Sequence, residues 1–217
     1  MAKNIIYTLP GLGFDERIFS RLNLSAFNVH HLNWIKPAPG EAIQHYAQRL
    51  ADKMTPPPEN CILIGHSFGG IMAQEIAALV PVKKIILISS IKSKKEKPLN
   101  FRSVAPLGLH HFFSKKITLS TFDYWGKYFG YDTVELQGLF KEMIAVQSDV
   151  YLQWALYQLS IWEGVNQVAP VVHIHGEKDK TFPFKLIAEP VSMVKDGTHM
   201  MVYQKGRQVS ELIKRHL

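Results

Sequence analysis

Residues 61–80, CILIGHSFGGIMAQEIAALV, constrain the fold of this 217-residue chain more than any other stretch. Cys61 to Gly65 have no polar face, which is the character of a strand in a parallel sheet covered on both sides. After Ser67 the composition turns to that of a helix. Between the two lie Gly65, Ser67, Gly69 and Gly70. Small residues at those positions allow neighbouring backbone to close in around the serine, which is the geometry of a sharp, strained strand-to-helix turn. The pattern G-x-S-x-G alone arises by chance, and here the apolar strand before it and the helix after it supply the context.

Strand and helix patterns alternate on either side. NIIYTLPG reads as a strand closed by Pro-Gly, Asp15 as the N-cap of a short helix, and FNVHHLNW as a second strand. Residues 42, 43, 46, 47 and 50 form the apolar stripe of a helix that TPPPEN breaks. VKKIILISS, APVVHIHG and AEPVSMVKDG follow as strands, and GRQVSELIKRHL as a closing amphipathic helix. This alternation predicts an α/β fold with a mostly parallel sheet and helices on both faces. It stops from about Ile91 to about Gln167, where helical patterns are dense in aromatic residues, among them Phe101, Phe113, Trp125, Tyr131, Phe140 and Trp154. The expected division is a core of residues 1–90 and 168–217 with a helical cap or lid of residues 91–167 inserted into it.

Composition supports one sizeable core, with 47% hydrophobic and 20% charged residues. The net charge of +7 invites a nucleic-acid reading. The densest basic cluster, KSKKEKP at 92–98, is short and has no interleaved aromatics, so it reads as a solvated surface segment. Cys61 is the lone cysteine, which excludes an internal disulfide and fits a reducing compartment. The apolar start ends at Pro10, too short for a signal-peptide core, and no run approaches a membrane span, so a cytoplasmic location without membrane insertion is expected.

The turn, and two motifs downstream of it, resemble the α/β-hydrolase fold family. In that family the chain order is nucleophile, acid, histidine. GHSFGG supplies Ser67 as the nucleophile. VVHIHGEKDKTFP is similar to the strand that ends in Gly-x-x-Asp, which carries the acid over to Asp179, and KDGTHMM resembles the turn before the histidine, His199. The resemblance implies a sheet of about six strands, beginning at the strand before the oxyanion loop. The chemistry needs each residue type: a serine hydroxyl is a weak nucleophile until an imidazole accepts its proton, and a carboxylate orients that imidazole and stabilises its charged form. Glu177 stays open as an alternative acid. Asp196 reads as a turn former, His173 and His175 as structural residues rather than metal ligands, His66 as pointing away from Ser67, and Cys61 as a core residue.

The resemblance also implies an oxyanion hole built from the backbone N–H groups of Phe68 and Leu12, the latter in TLPGLGF, where Pro10 replaces the family's histidine. Trp125, Trp154 and Met200 are the candidate pocket residues. The expected activity is hydrolysis of a small carboxylic ester or thioester, with no cofactor, no metal and no nucleic-acid partner. A non-catalytic binding protein of the same fold, or a lyase using the same three residues, are the alternatives.

Overall fold

A computed structural model describes residues 4–55, 60–166 and 169–217. The predicted boundary at 167/168 and most of the Pro-rich helix breaker lie outside the described residues. Among the described residues six strands form one parallel sheet: β1 (Ile5–Leu9), β2 (Asn28–His31), β3 (Ile62–His66), β4 (Lys84–Ile88), β5 (Val171–Gly176) and β6 (Ser192–Val194). Their spatial order is β2-β1-β3-β4-β5-β6. The helices are α1 (Ile43–Ala51), α2 (Phe68–Leu79), α3 (Leu99–Arg102), α4 (Lys115–Trp125), α5 (Val134–Val146), α6 (Asp149–Ile161), α7 (Met201–Gln204) and α8 (Gly206–Arg215).

Every residue of β3 is buried, and so are Ile85 to Ile88 of β4. Successive side chains of a strand point to opposite faces, so both faces of the sheet centre are covered. That explains the absence of a polar face in CILIG and IILI. β2, at the sheet edge, pairs only with β1 and is more exposed. α2 is buried from Phe68 to Ala77, and each fully buried Ile or Met there contributes about 2 kcal/mol. It ends because Pro81 pushes Val80 into the extended conformation, with φ −132° and ψ 145°. In α8 the buried residues Val209 and Ile213 recur four apart, which is the apolar stripe of an amphipathic surface helix.

Helices α3 to α6 all lie between β4 and β5. Three of them begin at a side-chain cap: Ser114, Thr133 and Ser148 accept from the backbone N–H three residues on. α6 is fastened to α2 and to the segment before α1 by buried hydrogen bonds. Trp154 and Gln158 donate to the Glu41 carbonyl at 2.7 and 3.0 Å, and Trp162 donates to Glu75 at 2.6 Å. The basic cluster departs from the sequence reading. Lys94 and Lys95 are exposed, but Lys97 is buried with its ammonium on the carbonyls of Ser160 and Trp162, and buried Glu96 accepts from the N–H groups of Lys92 and Ala188. Both side chains tie chain segments together, a role that charge density alone does not reveal.

The strand order reverses between β1 and β3, and the crevice at the carboxyl ends of strands is where an open α/β sheet places ligands. The loop after β1 and the turn after β3 meet there. Contact is so close that a Cβ on Gly69 would stand 2.1 Å from the Leu9 carbonyl oxygen and 2.3 Å from that of Pro10. Gly69→Ala is therefore expected to lose at least about 3 kcal/mol, because backbone cannot yield as a side chain can. Gly138, exposed within α5, is the control: a Cβ there would meet nothing within 4 Å, and Gly138→Ala should gain about 1 kcal/mol. Urea unfolding of the two variants checks both signs.

Candidate active site

Ser67 sits at φ 53° and ψ −123°, a region that side chains other than glycine rarely adopt. Three contacts hold it there. Its N–H donates to the Ile88 carbonyl at 3.0 Å, and its own carbonyl accepts from the Gly70 N–H at 2.9 Å and the Ser90 hydroxyl at 2.7 Å. The turn leaves Oγ 2.9 Å from Nε2 of His199, 132 residues further along the chain. Nδ1 of His199 lies 2.8 Å from Oδ2 of Asp179. A carboxylate only accepts, so Nδ1 carries the imidazole proton and Nε2 is free to accept from the serine hydroxyl.

The loops after β5 and β6 are brought together by close backbone packing. A Cβ on Gly176 would stand 2.3 Å from the Gly197 carbonyl oxygen, and Lys178 N–H donates to that carbonyl at 2.8 Å. Oδ1 of Asp179 accepts from the N–H groups of Thr181 and Phe182 at 2.8 and 2.9 Å. Burial pushes the Asp179 pKa up. The neighbouring His199, by charge and hydrogen bond, then His175 and the Phe182 N–H outweigh burial and hold it below the ordinary aspartate value. Ser67, Asp179 and His199 are all buried.

The competing residues fall elsewhere. Glu177 is exposed and accepts from the Asp196 N–H, while Asp196 adopts φ 55° and pairs with Lys178, so both belong to the surface turns. Cys61 is fully buried and its thiol is pushed up to about 12 by burial. His173 and His175 are buried and engaged with carbonyls of Ser90 and Phe182. His66 does not bond to Ser67. It donates from Nε2 to the His199 carbonyl at 3.1 Å, so it braces the histidine loop, which the sequence reading missed.

Ser67 and His199 open onto a cavity of about 280 Å³ whose walls include Leu12, Phe14, Trp125, Tyr131, Phe140 and Met200. Of the predicted pocket residues, Trp125 and Met200 line it. Trp154 does not: its indole is tied to the Glu41 carbonyl and packs on Tyr46 and Phe68, with ring centroids 4.2 and 6.2 Å apart. It supports Phe68 from behind. Phe68 is the first residue of α2, where an N–H has no acceptor within the helix. Leu12 follows Gly11, whose Cβ, if it had one, would lie 3.1 Å from the Ser67 Cβ. The Gly11 carbonyl is held by the Phe14 N–H and by the indole of Trp34 at 3.0 Å. Trp34 in turn stacks on Tyr151 and lies tilted against Phe68, and nothing in its local sequence marks it as a loop anchor.

A parallel α/β sheet carrying serine, imidazole and carboxylate at its carboxyl edge defines the architectural class. A model of the alpha/beta hydrolase family matches residues 2–212, and the chain belongs to that family. No curated protein sequence matches the chain. Similar solved structures include a lipase-esterase related protein from Clostridium acetobutylicum, 18% identical with TM-score 0.72, covering 100% of this chain and 95% of that one. An esterase from Exiguobacterium antarcticum is 16% identical with TM-score 0.74, covering 99% and 92%. An enol-lactonase from Burkholderia xenovorans is 15% identical with TM-score 0.69, covering 99% and 91%. At these identities the likeness is one of fold.

Burial drives the pKa of His66 and of His173 down to about 3, the neighbouring His199 and His175 adding to the shift in each case. In the unfolded chain both imidazoles take up a proton below about pH 6.5. The unfolded state therefore binds more protons between pH 6.5 and 3, and stability falls as pH is lowered through that window. At pH 5 the loss should be about 2 kcal/mol per imidazole relative to pH 7. Urea midpoints at the two pH values test it, and equal midpoints would contradict the neutral state of these residues.

Proposed function

We propose that the protein is a serine hydrolase of small, uncharged carboxylic esters or thioesters, working through an acyl-enzyme. The observation that carries this reading is the unbroken hydrogen-bond sequence from Ser67 Oγ through His199 to Asp179, at 2.9 and 2.8 Å. Ser67 Oγ attacks the acyl carbon as His199 Nε2 takes its proton. Asp179 stabilises the resulting imidazolium. His199 then returns the proton to the departing alcohol or thiol, water repeats the sequence with the acyl group as its target, and the free acid leaves.

The backbone N–H groups of Phe68 and Leu12 are assigned to the oxyanion, helped by the positive end of α2. Residues 91–167 are assigned as the cap. Trp125 and Met200 are assigned to the acyl pocket. Among the described residues no Asp, Glu, Lys or Arg lines the cavity, which supports an uncharged acyl group. Its 280 Å³ fits short or medium chains better than long ones.

A fluorophosphonate probe should label the native protein, and labelling should vanish in Ser67→Ala, which is expected to fold normally and lose at least about 10³-fold in kcat. Native protein that stays unlabelled would favour the binding reading. Among p-nitrophenyl esters of graded length, kcat/KM should peak at short or medium chains. An acyl group ending in a carboxylate should lose about 100-fold or more, since an unpaired buried charge costs several kcal/mol. A maximum at long chains, or no penalty for the charge, would overturn the substrate assignment.

A further inference from the structure

Two buried imidazoles that take no part in the proposed chemistry form a hydrogen-bonded run between the nucleophile's turn and the acid's loop. We propose, resting on the serine-hydrolase reading, that His175 is a positioning residue. It holds the Asp179 loop through Nε2, and its tautomer is set by His173, which hangs from the same Ser90 that fixes the Ser67 carbonyl.

The proton assignment follows from the contacts. The carbonyl of Ser90 lies 3.0 Å from Nε2 of His173, and a carbonyl only accepts, so that nitrogen carries the proton. The same Nε2 is 3.2 Å from Nδ1 of His175, which must then be the acceptor. A neutral His175 therefore bears its proton on Nε2. That nitrogen lies 2.8 Å from the Phe182 carbonyl and 3.4 Å from Oδ2 of Asp179. This assignment satisfies the three hydrogen bonds, and Oδ2 of Asp179 stands beside the donor as a charge contact. Both rings are buried, and desolvation lowers both pKa values, which supports the neutral state.

The consequence for Asp179 is mechanical as well as electrostatic. Phe182 offers its carbonyl to His175 and its N–H to Oδ1 of Asp179, so gripping one end of that residue fixes the other. The Phe182 ring also packs edge-on against His199, with centroids 5.6 Å apart. Oδ2 meets His199 at 2.8 Å and His175 from a second side. With both oxygens engaged, rotation of the carboxylate away from His199 would break the bonds to Thr181 and Phe182 as well. Ser67, Ser90, His173, His175, Asp179 and His199 thus close a ring, and the nucleophile and acid are held in register from behind as well as through the imidazole between them.

The titratable groups facing this ring are few. His173 faces His175 from its own strand, Asp179 from the loop after β5, His199 from the loop after β6 and Lys92 from the segment after β4. His66 faces His199 from the end of β3. Replacing His175 by a residue with no donor leaves more of the Asp179 charge to His199. The acidic limb of kcat/KM is then expected to move to higher pH.

The test has one arm that requires no activity. In histidine-labelled protein at neutral pH, NMR nitrogen shifts should show His175 protonated at Nε2 alone. Protonation at Nδ1 would overturn the assignment. In the second arm His175→Phe should lower kcat about 10- to 100-fold with KM little changed, and raise the acidic limb. His175→Gln, which keeps a donor near Nε2, should recover most of the rate and the wild-type limb. If His175→Phe lowers only thermal stability and leaves kcat and the limb in place, the residue is structural and the proposal fails. If His175→Phe does not fold, His175→Gln and the NMR arm still decide. Absence of fluorophosphonate labelling in the wild type would defeat the hydrolase reading while leaving the tautomer result intact.

Discussion

The backbone turn at Ser67 is the constraint from which the rest of the site follows. A non-glycine residue at φ 53° costs about 1–3 kcal/mol and persists only where its surroundings over-determine it. Here β4 supplies the Ile88 carbonyl, Ser90 holds the carbonyl of the turn, and β1 lies against Gly69 with no space between. Because the Gly69 contact is made by Leu9, the last residue of β1, and by Pro10, the first of the loop, that loop cannot move independently of the serine. The turn and that loop form one rigid unit, with the start of α2 aimed into the space they share.

Parallel pairing does the remaining work. Strands that run the same way release their following loops at the same sheet edge, so residues distant in sequence arrive side by side. β5 and β6 are neighbours, and the contact of Gly176 with Gly197 sets their loops at a spacing where Asp179 reaches His199. His66, from the end of β3, then spans the gap to the His199 carbonyl.

What the sequence revealed divides along a physical line. Strands buried on both faces betray themselves by composition, because β3 and β4 have no exposed position to spend on polar residues. The three residues of the hydrogen-bonded relay were legible because short local motifs carry them in a characteristic order. Residues acting through side-chain contact with distant backbone were not. Trp34 reaches the Gly11 carbonyl, His66 the His199 carbonyl and Lys97 the end of α6, and in each case the partner is fixed only when the sheet has formed. Trp154 shows the same limit from the other side. Its aromatic character suited a pocket, but whether a helical residue faces the cavity or the sheet depends on how α6 docks, and the Glu41 carbonyl draws the indole inward.

The electrostatics of the site rest on what is kept neutral. Asp179 is ionised in a buried setting, and the imidazoles closest to it other than His199 are disfavoured as cations by burial. Were His175 or His173 charged, the carboxylate would be compensated beforehand and would gain less in the proposed reaction, where His199 takes the serine proton. Held neutral, they orient Asp179 with dipoles and leave its charge to be met in the step that needs it. A cavity lined, among the described residues, by no Asp, Glu, Lys or Arg works in the same direction, since the attraction between carboxylate and a proposed imidazolium is stronger where water is excluded. The buried histidines and the aromatic cavity, unrelated in sequence, thus serve one end: they reserve the Asp179 charge for His199.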